Sequence, residues 1–150
     1  MIAVVQRVTF ASVTINNIIK SKIDEGLLVL LGITHTDSEE DAEWLVKKIV
    51  NMRIFSDESD KMNLSVMDIN GDILLVSQFT LISSTKKGNR PSFIEAAKPE
   101  QAIPLYNMVI SFLEKETKKE IKTGEFGADM KVNLLNNGPV TIVIDSKNMI

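Results

Sequence analysis

Residues 26–33 read Gly-Leu-Leu-Val-Leu-Leu-Gly-Ile, with no polar side chain among them. A half-buried strand would alternate apolar and polar residues. An unbroken short apolar run bounded by glycine fits a strand buried on both faces better than a short helix. The remaining elements must therefore cover it.

The flanking pattern supplies candidates. Ile2, Val4, Val8 and Phe10 recur at period two, with Gln6 the exception, so Met1 to Ile15 reads as a strand. Asn16-Asn17 suits a hairpin turn, because Asn tolerates left-handed backbone, and Ile18 to Ile23 would be the return. Thr36 to Asp41 combines capping oxygens with acids, and Ala42, Leu45, Val46, Ile49 and Met52 follow at helical spacing. This predicts a helix ending near Arg53. Phe55 to Asn63 reads as a polar loop. Leu64–Ile69 and Asp72–Leu81 flank Asn70-Gly71, a strong two-residue hairpin signal. Ser83 to Lys98 is a long polar connection, a kind of segment that is often functional. Pro99 can open a helix whose apolar stripe is Ala102, Leu105, Tyr106, Val109, Phe112 and Leu113. Ile121–Phe126, Lys131–Leu135 and Val140–Ile144 read as three further strands, the last two separated by Asn136-Asn137-Gly138-Pro139. Seven or eight hairpin-linked strands and two long helices predict an α+β fold with a curved, barrel-like antiparallel sheet. The 150 residues are expected to form a single domain.

Composition narrows the chemistry. Hydrophobic residues make up 44% and charged residues 25%, as in ordinary globular chains. There is no cysteine, so thiolate metal sites, iron–sulfur clusters and cysteine nucleophiles drop out. The one histidine, His35, cannot build a multi-histidine metal site, and it follows a buried strand, which fits a structural or exposed role. No metal or cofactor is expected. The first ten residues lack a long apolar segment, and the longest apolar run is far short of the ~20 residues needed to span a bilayer. A cytoplasmic protein without membrane contact is the expectation.

Three segments carry candidate chemistry. Ser77-Gln78-Phe79-Thr80-Leu81 reads plainly as a buried strand with polar residues on one face. Alternatively, two hydroxyls and an amide line a pocket, since buried polar groups need partners. Asn136-Asn137-Gly138-Pro139-Val140-Thr141 reads plainly as a turn. Alternatively, a rigid Gly-Pro carbonyl pair gauges a ligand without using side chains. Lys86-Lys87-Gly88-Asn89-Arg90-Pro91-Ser92-Phe93 is either a solvated loop or a place for phosphates and a stacked base. The net charge of −3 argues against broad nucleic-acid affinity but permits a local basic patch.

At these residues the chain resembles the D-aminoacyl-tRNA deacylases. Ser77 to Leu81 matches that family's SQFTL motif, and Asn136 to Thr141 matches its NxGPVT motif. Supporting similarity lies in Arg7-Val8 with Ala11-Ser12-Val13, in Arg53-Ile54-Phe55 with Lys61-Met62-Asn63, and in Gly88 to Phe93. The likeness runs nearly end to end, leaving only Lys147 to Ile150 unplaced.

The resemblance implies hydrolysis of the ester between a D-amino acid, or misattached glycine, and tRNA. It implies a homodimer with active sites at the interface and no DNA partner. Gly138 and Pro139 of one subunit would enter the other subunit's pocket in the cis form and exclude L side chains. Arg7 and Asn136 would support that loop. Ser77, Gln78, Phe79 and Thr80 would surround the aminoacyl group and terminal adenosine. Met130 would belong to the pocket wall, and Lys86, Lys87, Arg90 and Phe93 would contact tRNA. Thr80 has no base in its motif, so the favoured mechanism has the terminal 2′-hydroxyl of tRNA assist water, with backbone N–H groups near Phe79 and Thr80 holding the oxyanion. The alternatives are a non-catalytic dimeric RNA-binding module on the same scaffold, and a related deacylase with a different chiral or tRNA preference.

Overall fold

The computed structural model describes residues 1–150. Strand β1 (Ile2–Ile15) turns at Asn16-Asn17 into β2 (Ile18–Ile23), and β3 (Gly26–Gly32) follows. Both asparagines have positive φ, 50° and 64°, as the hairpin reading requires. Helix α1 (Glu39–Asn51) starts where Ser38 N–H and Oγ–H donate to Asp41 Oδ2 at 2.9 and 3.1 Å. Then come β4 (Phe55–Ser56), β5 (Met62–Leu64), β6 (Asp72–Ser77), α2 (Pro99–Thr117), β7 (Lys122–Thr123) and β8 (Lys131–Asp145). No helix is long and apolar enough to cross a membrane.

The curved, barrel-like sheet and its two helices agree with expectation, but the sheet is mixed rather than wholly antiparallel. Its order is β2-β1-β3-β6-β7, with β8 on the other edge of β1; β3–β6 and β6–β7 are parallel. Parallel neighbours need crossover connections, which α1 and α2 provide. Asn70-Gly71 therefore closes no hairpin. The Ser65 N–H and Oγ–H donate to Asp68 Oδ2 at 2.7 and 2.8 Å, and Gly71 N–H donates to Val66 O at 2.9 Å. These bonds wind Ser65 to Gly71 into turns, so β6 enters beside β3 from a crossover.

Three further boundaries differ. The expected polar loop at 55–63 contains the β4–β5 hairpin, paired from Phe55 to Leu64. The expected strand 121–126 keeps regular pairing only at Lys122 and Thr123. The two expected strands around Asn136 to Pro139 are one continuous β8. Gln6 faces Thr141 and Val8 faces Asn136, so two steps along β1 correspond to five along β8. The excess is accommodated as a bulge rather than a turn.

The apolar run is covered twice. Leu27, Val29 and Leu31 join the large core with Leu45, Ile49, Val109 and Leu113 of the helices. Leu28 packs inside the barrel with Val8, Ala11, Val13, Leu74 and Val76. Both faces of β3 are thus dry, which accounts for the missing alternation.

Candidate functional site

Strand β6 stops where its register with β3 stops. Leu31 faces Ser77, and Gln78 N–H still donates to Leu31 O at 2.7 Å. The backbone then tightens into a 3-10 turn over Phe79–Leu81, closed by Leu81 N–H to Gln78 O and Ile82 N–H to Phe79 O. The expected strand to Leu81 therefore ends four residues early. The turn throws the Phe79 ring outward, 56% exposed, and the Gln78 amide donates to the Thr80 hydroxyl. Behind the strand, Tyr106 Oη–H donates to Leu75 O at 2.9 Å; burial pushes that phenol's pKa up, so it remains a neutral donor.

This strand end opens a cleft of about 330 Å3. Its floor is the ends of β3 and β6, with Ser77, Gln78 and Phe79 at the rim; Ala97 and Ala102 form one wall and the 126–130 segment another. Met130 is in that wall. Thr80 is exposed beside the cleft and reaches it through Gln78. Phe93 returns from the long connection to stack edge-on against Phe79, centroids 5.2 Å apart. Two segments separated in sequence thus share one aromatic corner. Lys86, Lys87 and Arg90 stand exposed on the same connection. His35 lies outside the lining, its Nδ1 3.1 Å from Glu95 O. The one ionisable lining residue is Asp129, itself mostly exposed and paired with Lys131 at 3.0 Å.

Gly138 and Pro139 are not in this cleft. They sit exposed on the β8 bulge, joined by a cis peptide bond. The segment is held from below. Arg7 Nε–H donates to Asn137 O at 2.8 Å, and its Nη1 donates to Ile54 O at 2.7 Å. The Asn136 amide donates to Val140 O at 2.9 Å and to Arg7 O at 3.2 Å. Gly138 has φ of 148°, and a Cβ there would come within 2.7 Å of the Val140 nitrogen and 3.1 Å of Arg7 Nη2. Only glycine suits both the conformation and the space.

Sequence reasoning missed several participants. Ile54 supplies the carbonyl that fixes Arg7, and Leu31, Ile33, Ala97, Ala102 and Phe126 line the cleft. Their apolar character marks them as core, and only the topology shows that they end at a cleft.

Residues 4–145 match the family model described as D-Tyr-tRNA(Tyr) deacylase. A D-aminoacyl-tRNA deacylase of Cytophaga hutchinsonii is 66% identical, over 99% of both chains. One of Flavobacterium psychrophilum is 62% identical with the same coverage. Among solved structures, one described as a c-Myc DNA unwinding element binding protein superposes with TM-score 0.91 at 48% identity, covering 97% of this chain and 98% of the other. Another, described as a probable eukaryotic D-amino acid tRNA deacylase, shares the fold at TM-score 0.81 and 18% identity, covering 95% and 97%.

Proposed function

The chain belongs to the D-aminoacyl-tRNA deacylase family, a family of hydrolases, and from that premise we propose how its residues select and cleave the ester. Residues 1–150 act as one deacylase domain in a homodimer. The terminal adenosine and aminoacyl group occupy the cleft at Ser77 to Phe79, with Phe93 and the cations Lys86, Lys87 and Arg90 toward the RNA.

The observation that carries this reading is the separation of the two motifs. The cleft of one chain holds Gln78 and Phe79 but not its own Gly138-Pro139, which projects outward on a braced bulge. Around it β8 exposes Leu135, Ile142 and Val143, Leu135 and Val143 by more than half. An apolar edge strand of this kind favours a second copy. In the dimer, Gly138-Pro139 of one subunit closes the cleft of the other. Its main chain occupies the space an L side chain would need and leaves room for a D side chain. A filter made of backbone cannot reject glycine, which has no side chain, so misattached glycine is released too.

In the reaction, water adds to the ester carbonyl, the tetrahedral oxyanion forms, and the tRNA 3′-oxygen leaves with a proton. The leading N–H groups of the Phe79–Leu81 turn have no partner within the turn and are placed to hold the oxyanion. Thr80 has no adjacent base, its hydroxyl being engaged by Gln78. The terminal 2′-hydroxyl of the substrate, held next to the reacting carbon, positions the water.

The test is release of amino acid from matched D- and L-aminoacyl-tRNA by the purified protein, together with a D-substrate whose terminal adenosine is 2′-deoxy. D-selective release is expected, and the deoxy substrate should be cleaved on the order of hundreds-fold more slowly. Normal cleavage of the deoxy substrate would return the catalytic role to a protein group. A second reading, a nucleic-acid-binding module without turnover, is favoured by the DNA-binding description of the 48% identical structure. It predicts tight nucleic-acid binding and no release from either enantiomer.

A further inference from the structure

The barrel closes where β2 meets β7, through Ser21 Oγ–H donating to Thr123 O at 2.5 Å. Outside this seam runs a groove of about 610 Å3, lined by Lys20, Ser21, Lys22, Lys122, Thr123 and Glu120 among others. Lys122 is held by Glu120 at 2.7 Å, whereas the ammonium groups of Lys20 and Lys22 have no hydrogen-bond or ion-pair partner. The β1–β2 register passes from Ile19–Thr14 to Ser21–Val13, leaving Lys20 as the unpaired residue of a bulge. A bulge re-aims a side chain, and here the bulged Lys20 lines the same groove as the regularly paired Lys22. In a chain of net charge −3, uncompensated cations gathered at one place mark where a polyanion is favoured.

The groove and the cleft are joined by a short stretch of chain. Thr123 lies three residues before Phe126 of the cleft wall, a span of at most ~10 Å. Between them, Gly124 packs so closely that a Cβ would come within 2.3 Å of Met130 Sδ, and Met130 is also in that wall. We propose that the Lys20–Lys22–Lys122 groove receives the phosphodiester backbone of the substrate RNA a few nucleotides away from the ester. This rests on the reading that the terminal adenosine occupies the cleft. It adds a second contact surface, next to the 126–130 wall and separate from the Lys86–Arg90 loop.

The test compares D-aminoacyl-tRNA with D-aminoacyl-adenosine, which has no phosphodiester to contact, and measures affinity for uncharged tRNA against salt. Changing Lys20→Ala with Lys22→Ala should lower kcat/KM for the tRNA substrate, relative to the adenosine substrate, by ~10-fold or more. It should also flatten the log Kd against log salt slope by about 1.4, about 0.7 for each lost contact to a single strand. The charge-matched pair Lys47→Ala with Lys48→Ala on α1 should alter neither quantity. An unchanged ratio and slope, or equal losses in both double variants, would overturn the proposal. Failure of the parent protein to cleave either substrate would strike the proposed hydrolysis instead, and the tRNA salt slope would still decide the groove.

Discussion

The end of β6 and the middle of β8 both interrupt a strand, and they do so in opposite ways. At Ser77 the strand stops, the chain tightens into a 3-10 turn, and the vacated space becomes a cleft. At Asn137 the strand does not stop. Its surplus residues swell outward and pairing with β1 resumes on both sides. The first device makes a cavity that a ligand can enter. The second makes a protrusion that can enter a cavity. Arg7 and Asn136 each tie a carbonyl of the protrusion, Asn137 O and Val140 O, to the chain beneath through a second bond to Ile54 O or Arg7 O, whereas at the cleft the Gln78 side-chain amide meets only Thr80. The protrusion is therefore the more firmly braced of the two, which is what the proposed shape filter requires, and the cleft rim is the less braced.

The largest break in this comparison should come from Gly138→Ala. A Cβ there meets backbone and the Arg7 guanidinium, and on the proposed reading it would intrude on the substrate. Cleavage of D-aminoacyl-tRNA should fall by at least ~100-fold, on the order of 3 kcal/mol in the barrier, while the strained Ala lowers the melting temperature by a few degrees and leaves the fold intact by circular dichroism. Full activity in a folded variant would remove the filter role.

Asn136→Ala should come next. It strips two hydrogen bonds from the base of the bulge while leaving the strand pairing around it. Net losses of about 1 kcal/mol per bond predict a rate ~10- to 30-fold lower and measurable release from L-aminoacyl-tRNA, as the gauge loosens. A loss of rate with unchanged D/L discrimination would mean that the bulge does not set chirality.

Thr80→Ala sharpens the other side. A hydroxyl that only steadies Gln78 should cost less than ~10-fold, because the backbone donors of the turn remain. Complete loss, or an aminoacyl ester trapped on Thr80, would make it the nucleophile.

The smallest effect is expected far from the bulge, where β8 ends. Asp41 accepts from Ser146 Oγ–H and Lys147 Nζ–H at 2.7 Å each. Burial opposes its charge, but these partners and Ser38 outweigh it and hold its carboxyl well below the usual carboxylate range. A lowered folded pKa contributes stability above the unfolded value of 3.8, and that contribution is lost as pH falls below it. Asp41→Asn should therefore melt a few degrees lower at pH 7, with the gap starting to narrow below about pH 4 and still mostly present at pH 3, and without any change in D/L selectivity. A gap that does not narrow between about pH 4 and pH 2 would assign the effect to packing.

Much of this was legible in the residues. The uniformly apolar 26–33 run announced a doubly covered strand, and Asn16-Asn17 announced its hairpin. Asn70-Gly71 carried an equally strong local signal that a competing local turn overrode. The reason is Ser65 and Asp68, whose side chains bind nearby backbone and turn the chain before it reaches the pair. The bulge was misread as a turn for a related reason. Asn-Gly-Pro chemistry fits both, and only the β1 partner, with Arg7 beneath, distinguishes them. The motifs named Gln78 and Gly138, but that Gly138 stands outside the cleft that Gln78 lines is a fact of topology. The groove at Lys20 depends on a register shift that no local pattern encodes.

That separation is the central claim, and subunit mixing tests it most directly. A purified heterodimer of one Gly138→Ala subunit and one Gln78→Ala subunit has one site carrying both changes and one carrying neither, if each cleft is completed by its partner's bulge. Both homodimeric variants should be nearly inactive on D-aminoacyl-tRNA, and the heterodimer should recover about half of the parent rate. A heterodimer as inactive as its two parents would show that the cleft and the Gly-Pro segment must come from the same chain, and would contradict the account.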